Sequence, residues 1–204
     1  MRKNLANVVT MIRVALAPLL VVLMALSNSR PACRYAALAV FALGAATDWL
    51  DGQIARRTKT VSKFGIVADP LADRLFIGTT LITLYAMRML PLAFLVIVLG
   101  RDILMAAGYP FIRRIDASQV EVHWTGKVAT AILFVALALL ILSPVRGGSY
   151  LSFAGFEWSN PASWQAWGLW LFAVGMVWSL MSAGIYVSRV VALMRKRDSA
   201  QQPD

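Results

Sequence analysis

Six long apolar runs, about Val8–Leu26, Tyr35–Leu50, Leu71–Met87, Leu90–Ile112, Val128–Leu142 and Trp167–Met194, constrain this chain more than any other feature. They are rich in Leu and Ala and lack the apolar/polar alternation of a half-buried strand, so they read as helices. Several approach the roughly 20 residues that a helix needs to cross a bilayer, and the third and fifth reach that length only with their flanks. Of the 204 residues, 59% are hydrophobic and only 15% charged, too apolar a balance for an ordinary soluble domain. The expected fold is an all-α integral membrane protein with six transmembrane helices. No internal repeat, low-complexity tract or second domain is visible, so residues 1–204 are expected to form a single membrane domain with a basic tail over about 195–204.

Charge supplies the orientation. Outside the runs, one set of loops and termini carries twelve Lys and Arg residues, among them Arg2, Lys3, Arg56, Arg57, Arg113, Arg114 and Lys127. The other side carries four, Arg30, Arg34, Arg88 and Arg146. The bias puts both termini in the cytoplasm. A net charge of +10 dispersed over loops fits attraction to anionic lipid headgroups and phosphates, and nucleic acid is not an expected partner. The first run has the basic start of a signal peptide, but Arg13 and Pro18 interrupt its apolar core. Ser149 to Trp170 gathers Phe153, Phe156, Trp158, Trp164 and Trp167, which reads as an interfacial aromatic belt.

The segment from Asp48 to Asp73 breaks the apolar pattern. It holds four of the ten acidic residues, Asp48, Asp51, Asp69 and Asp73, at the margins of apolar runs, where an ionised carboxylate is expensive unless paired. If the second run stays helical through Arg57, Asp48 and Asp51 are i and i+3 on one face, with Gly52 and Ala55 beside them. Asp69 and Asp73 are i and i+4 and also share a face. Two such helices leaning together would gather four carboxylates, an all-oxygen donor set suited to Mg²⁺ or Mn²⁺. Gly52 and Ala55 would let a ligand approach the backbone, and Arg56 offers a phosphate-binding fork. Asp69 before Pro70 also has the form of a helix N-cap followed by Pro at the first helical position, but capping leaves the other three acids unexplained.

These residues carry a resemblance. The pattern DxxDGxxAR, eight residues, then GxxxDxxxD is matched at Asp48, Asp51, Gly52, Ala55, Arg56, Gly65, Asp69 and Asp73, and it is the signature of the CDP-alcohol phosphotransferase family. Asn4, Asn7, Thr10 and Arg13 resemble the NxPNxxTxxR opening of the family's phosphatidylglycerophosphate-synthase branch, with Ala6 in place of proline. Gly126, Lys127 and Thr130 resemble its GKxxT segment, and Arg101-Asp102 stands where that branch carries Arg-Glu. The resemblance implies a six-helix homodimer with a polar metal site facing the cytoplasm, in a bacterial inner (cell) membrane. It implies transfer of the phosphatidyl group of CDP-diacylglycerol to an alcohol, with release of CMP. Glycerol 3-phosphate is the first expectation as acceptor. Phosphatidylglycerol, as in a CMP-forming cardiolipin synthase, and inositol phosphate are the alternatives.

By the same likeness, Asp48, Asp51, Asp69 and Asp73 would hold the metal and Asp73 would serve as base. Asn7, Gly52, Ala55, Arg56 and Gly65 would hold the CDP moiety, and Arg101, Arg113, Arg114 and Lys127 the acceptor. Without the likeness, Arg101 could simply pair with Asp102, Lys127 could snorkel at a helix end, and the Asn4–Arg13 segment could lie on the membrane surface as a polar lead-in. His123 and Cys33 are the only residues of their types and supply neither a zinc site nor a nucleophilic dyad. The absence of a Walker loop or dinucleotide fingerprint leaves ATP-driven transport and redox chemistry without support. A lipid carrier that keeps the fold without turnover is the reading from another class, and four costly acids argue against it.

Overall fold

Polar residues interrupt the apolar runs without ending the helices. The computed structural model describes residues 2–58, 65–112, 124–143 and 164–200, with side chains described over 11–47, 72, 74–105, 126–143 and 167–188 and for Gln165. The elements are α1 (Arg2–Leu26), α2 (Ala32–Thr58), α3 (Gly65–Ala86), α4 (Leu92–Ile112), α5 (Trp124–Leu142) and α6 (Trp164–Ala200). The shortest, α5, has 19 residues and extends about 28 Å at 1.5 Å per residue, close to the thickness of a hydrocarbon core. α6 has 37 residues and, at about 55 Å, is longer than any bilayer requires.

One stretch of the described residues is long and apolar enough to cross a membrane, Trp167–Ser188 of α6, with a mean hydropathy of 1.7 over its most apolar window. Shorter apolar stretches, Met11–Leu26, Ala32–Thr47 and Arg74–Ala86, lie on α1, α2 and α3, each bounded on one side by the limit of the described side chains. Large apolar side chains nevertheless face outward on several helices, including Met11, Tyr35, Val96, Ile103, Leu104 and Met181, each more than half exposed. A surface this apolar suits lipid rather than water.

The helices associate through close packing and self-satisfied hydroxyls, as expected where lipid removes the hydrophobic drive between them. α5 and α6 share the most extensive interface, α1 packs on both α2 and α3, α2 meets α5, and α4 meets α6 and α3. Gly168 and Gly175, seven residues apart, allow α6 to approach Leu140, Ile132 and Leu133 of α5. Phe41 of α2 joins three helices, its ring centroid 6.0 Å from Phe76 of α3 and 5.6 Å from Phe134 of α5. Phe94 of α4 stacks on Phe172 of α6 at 5.6 Å. Thr80 and Thr83 donate back to the carbonyls of Phe76 and Thr79, which keeps buried hydroxyls paired without a second helix.

Local chemistry sets the turns. α3 ends where Arg88 adopts a left-handed φ of 58°. The Met89 N–H donates to the Leu84 carbonyl and the Arg88 N–H to the Tyr85 carbonyl, the paired bonds of a Schellman cap, with Leu84 and Met89 buried against the core. Between α1 and α2, the Ser27 hydroxyl donates to the Met24 carbonyl at 2.7 Å, and Ser27 is buried.

Candidate active site

All eight signature residues lie on two helices. Asp48, Asp51, Gly52, Ala55 and Arg56 belong to the C-terminal half of α2, and Gly65, Asp69 and Asp73 to the first half of α3. α2 therefore continues to Thr58, as a shared face for Asp48 and Asp51 requires. α3 starts at Gly65, which puts Asp69 inside the helix and disposes of the N-cap alternative. Pro70 falls in the second turn of α3, where its missing N–H leaves the Ile66 carbonyl without its helical donor. The side chains of these eight residues and of Asn7 lie outside those described, as do Arg113, Arg114, His123 and the 144–163 segment.

One contact between α2 and α3 lies a turn away from the acids. Gly44 of α2 is buried against the ring of Phe76 of α3, so close that a Cβ on Gly44 would stand 2.5 Å from the ring's Cζ. From that point, Asp48 is four residues and Asp51 seven residues along α2. Asp73 is three and Asp69 seven residues back along α3. These are the i±3, i±4 and i±7 spacings that keep a helical position on one face. Asp48 and Asp51 thus occupy the stripe of α2 that carries Gly44, and Asp73 and Asp69 the stripe of α3 that carries Phe76. At 1.5 Å per residue, Asp48 and Asp73 stand about 5 Å from the contact, and Asp51 and Asp69 about 10 Å, toward the end where 59–64 link the helices. By residue type these four positions offer only oxygen donors, the chemistry that suits a hard divalent cation.

A third helix, packed on both acid-bearing helices, carries a buried cation. Arg13, Ala17, Leu20 and Met24 form the buried stripe of α1, the helix that packs on both α2 and α3. Arg13 is only 2% exposed, which excludes for it a surface-lying lead-in. A guanidinium sequestered at this depth belongs near anionic groups. The stripe itself was the available sequence signal, since Arg13 continues the apolar positions by the i−4 step.

Of the four expected acceptor residues, Arg101 on α4 and Lys127 on α5 are described. Arg101 Nη1 donates to Asp102 Oδ1 at 2.7 Å, with both side chains partly exposed, so the internal ion pair is formed. Lys127 is exposed in the first turn of α5, and the Thr130 hydroxyl closes the GKxxT segment on itself by donating to the Gly126 carbonyl at 2.9 Å. Cys33 is a partly buried free thiol in the first turn of α2. Trp167 and Trp170, at the start of α6, are exposed as a belt requires.

Known proteins bear on this arrangement. The family model for CDP-alcohol phosphatidyltransferases matches residues 3–181, and the chain belongs to that family. Among its relatives, a cardiolipin synthase (CMP-forming) of Streptomyces coelicolor is 36% identical over 136 residues, covering 67% of this chain and 61% of the relative. A CDP-diacylglycerol–glycerol-3-phosphate 3-phosphatidyltransferase of Bacillus subtilis is 27% identical over 80% of this chain and 87% of its own length. A second enzyme of that name, from Arabidopsis thaliana, is 34% identical over 95% of this chain and 79% of its own.

Proposed function

We propose that this chain is a divalent-metal-dependent phosphatidyltransferase that moves the phosphatidyl group of CDP-diacylglycerol to glycerol 3-phosphate, giving phosphatidylglycerophosphate and CMP. The observation that supports this reading is that the acid pairs lie one and two turns from Gly44 along α2 and from Phe76 along α3, two residues in contact. Asp48, Asp51, Asp69 and Asp73 hold the cation, Mg²⁺ or Mn²⁺. When bound, it neutralises the diphosphate and the charge developing on the departing CMP. Gly52 and Ala55 leave the α2 backbone open to the nucleotide, while Asn7, Gly65 and the fork of Arg56 orient it. Asp73 accepts the proton of the attacking hydroxyl as the new P–O bond forms and the bond to the CMP phosphate oxygen breaks. Arg101, Arg113, Arg114 and Lys127 hold the acceptor phosphate.

Residues 1–204 act as one multi-pass domain of a bacterial inner membrane, with six spans, both termini and the acid-bearing ends of α2 and α3 in the cytoplasm, and a homodimer as the working form. The twelve-to-four distribution of basic residues supports that orientation. A second reading, phosphatidylglycerol as acceptor, is favoured by the identity to the Streptomyces enzyme. Purified protein supplied with CDP-diacylglycerol, Mg²⁺ and each of glycerol 3-phosphate, phosphatidylglycerol and inositol phosphate distinguishes these by mass spectrometry of the lipid product. Phosphatidylglycerophosphate is expected; cardiolipin formed from phosphatidylglycerol alone would overturn the first reading in favour of the second.

A further inference from the structure

We infer that Gly44 and Phe76, neither of them in the metal-binding pattern, form a packing joint between the acid-bearing helices one turn from the acids and are therefore positioning residues for the metal site. The inference rests on the phosphatidyltransferase reading above. A Cβ at position 44 would lie 2.5 and 2.6 Å from Cζ and Cε1 of Phe76 and 3.2 Å from Cε2. The ring has little room to yield: it is 2% exposed and stacked on Phe41, 17° from coplanar, while Phe41 is held in turn by Phe134. Gly44 and Phe41 are three residues apart on α2, so the ring of Phe76 occupies a slot formed by a missing side chain and an aromatic wall. Ordinary contact lies at about 3.5–4.0 Å, so an alanine at 44 would part the two helices by about 1 Å.

The consequence follows from leverage and from the strictness of the cation. The acids begin one turn from the joint on both helices, and α1, which packs on both α2 and α3, holds the two helices against it. Metal–oxygen distances tolerate only about 0.2 Å, so a shift of about 1 Å at the joint reaches the ligands as a loss of affinity and not merely of stability. Thr47 and Thr80 reinforce the joint, their hydroxyls donating to the carbonyls of Gly44 and Phe76 and holding both helical turns regular.

The test is Mn²⁺ binding to purified protein in detergent, followed by electron paramagnetic resonance, alongside the thermal midpoint, for wild type, Gly44→Ala, Phe76→Leu and the double variant. Gly44→Ala is expected to weaken Mn²⁺ binding about tenfold or more, the range seen when groups supporting metal ligands are disturbed. The double variant, in which the colliding ring atoms are gone, is expected to recover most of that loss. Wild-type affinity in Gly44→Ala with a lowered midpoint would make the joint merely structural and overturn the inference alone. Wild-type protein that binds no Mn²⁺ would overturn the metal-site reading and the inference with it. If Gly44→Ala does not fold, Phe76→Leu and the double variant decide: the added alanine should leave affinity equal or improved, and a further loss would overturn the proposal.

Discussion

Replacing glycines of α6 one at a time by alanine should separate helix packing from helix propensity. At Gly168 a Cβ would stand 3.0 Å from both Cγ and Cδ2 of Leu140 and 3.2 Å from its backbone nitrogen. The side-chain atoms can rotate away, but the nitrogen cannot, so α5 and α6 must part by several tenths of an ångström. Overpacking of that kind costs about 1–3 kcal/mol, against a gain of up to about 1 kcal/mol for alanine over glycine in a helix. Gly184 has nothing within 4 Å of the same added atom, so only the gain applies there. With the net cost thus up to about 2 kcal/mol and about 2–4 °C per kcal/mol for a chain of this size, Gly168→Ala should lower the thermal midpoint by up to about 8 °C while Gly184→Ala holds or raises it. Scanning fluorimetry at one scan rate in one detergent reads the difference. A Gly168→Ala midpoint at or above that of Gly184→Ala would refute the claim that the α5/α6 approach depends on glycine.

Three further outcomes are expected. Asp73→Asn should abolish CMP release while the folded protein still binds CDP-diacylglycerol in a lipid-nucleotide binding assay; near-normal turnover would remove Asp73 as the base. Phe41→Ala should lower stability by about 3–5 kcal/mol and weaken Mn²⁺ binding as well, because its ring backs Phe76, whereas Phe94→Ala, which disturbs only the α4/α6 stack, should affect the midpoint alone. Arg101→Ala should raise the KM for glycerol 3-phosphate about tenfold or more with little change in that for CDP-diacylglycerol, the scale of a charge-assisted hydrogen bond. An unchanged KM would leave Arg101 as a partner of Asp102 and nothing more.

The helices were legible because their apolar runs have no strand periodicity, and the acid faces because i, i+3 and i, i+4 spacings survive any packing arrangement. Boundaries were less legible, for a physical reason. Asp48 to Arg56 and Gly65 to Asp69 are polar, so hydropathy stops at Leu50 and resumes at Leu71, while backbone hydrogen bonding carries α2 to Thr58 and starts α3 at Gly65. The same effect made Asp69-Pro70 resemble a helix start. The Gly44–Phe76 contact lies between residues 32 positions apart, and no local pattern announces which aromatic ring will fill the space a glycine leaves. Arg13 reads as polar in sequence, yet its position on the stripe of Ala17, Leu20 and Met24 buries it.

The most direct test of the central claim, that the acids of α2 and α3 form one metal site for phosphatidyl transfer, is CMP release by the purified chain from CDP-diacylglycerol and glycerol 3-phosphate. The protein would be stripped with EDTA and then titrated with Mg²⁺. The account predicts no release after stripping, saturable recovery with Mg²⁺, and no recovery in Asp51→Asn or Asp69→Asn at the same concentrations. CMP release that persists in EDTA, or that survives loss of either aspartate, would contradict it.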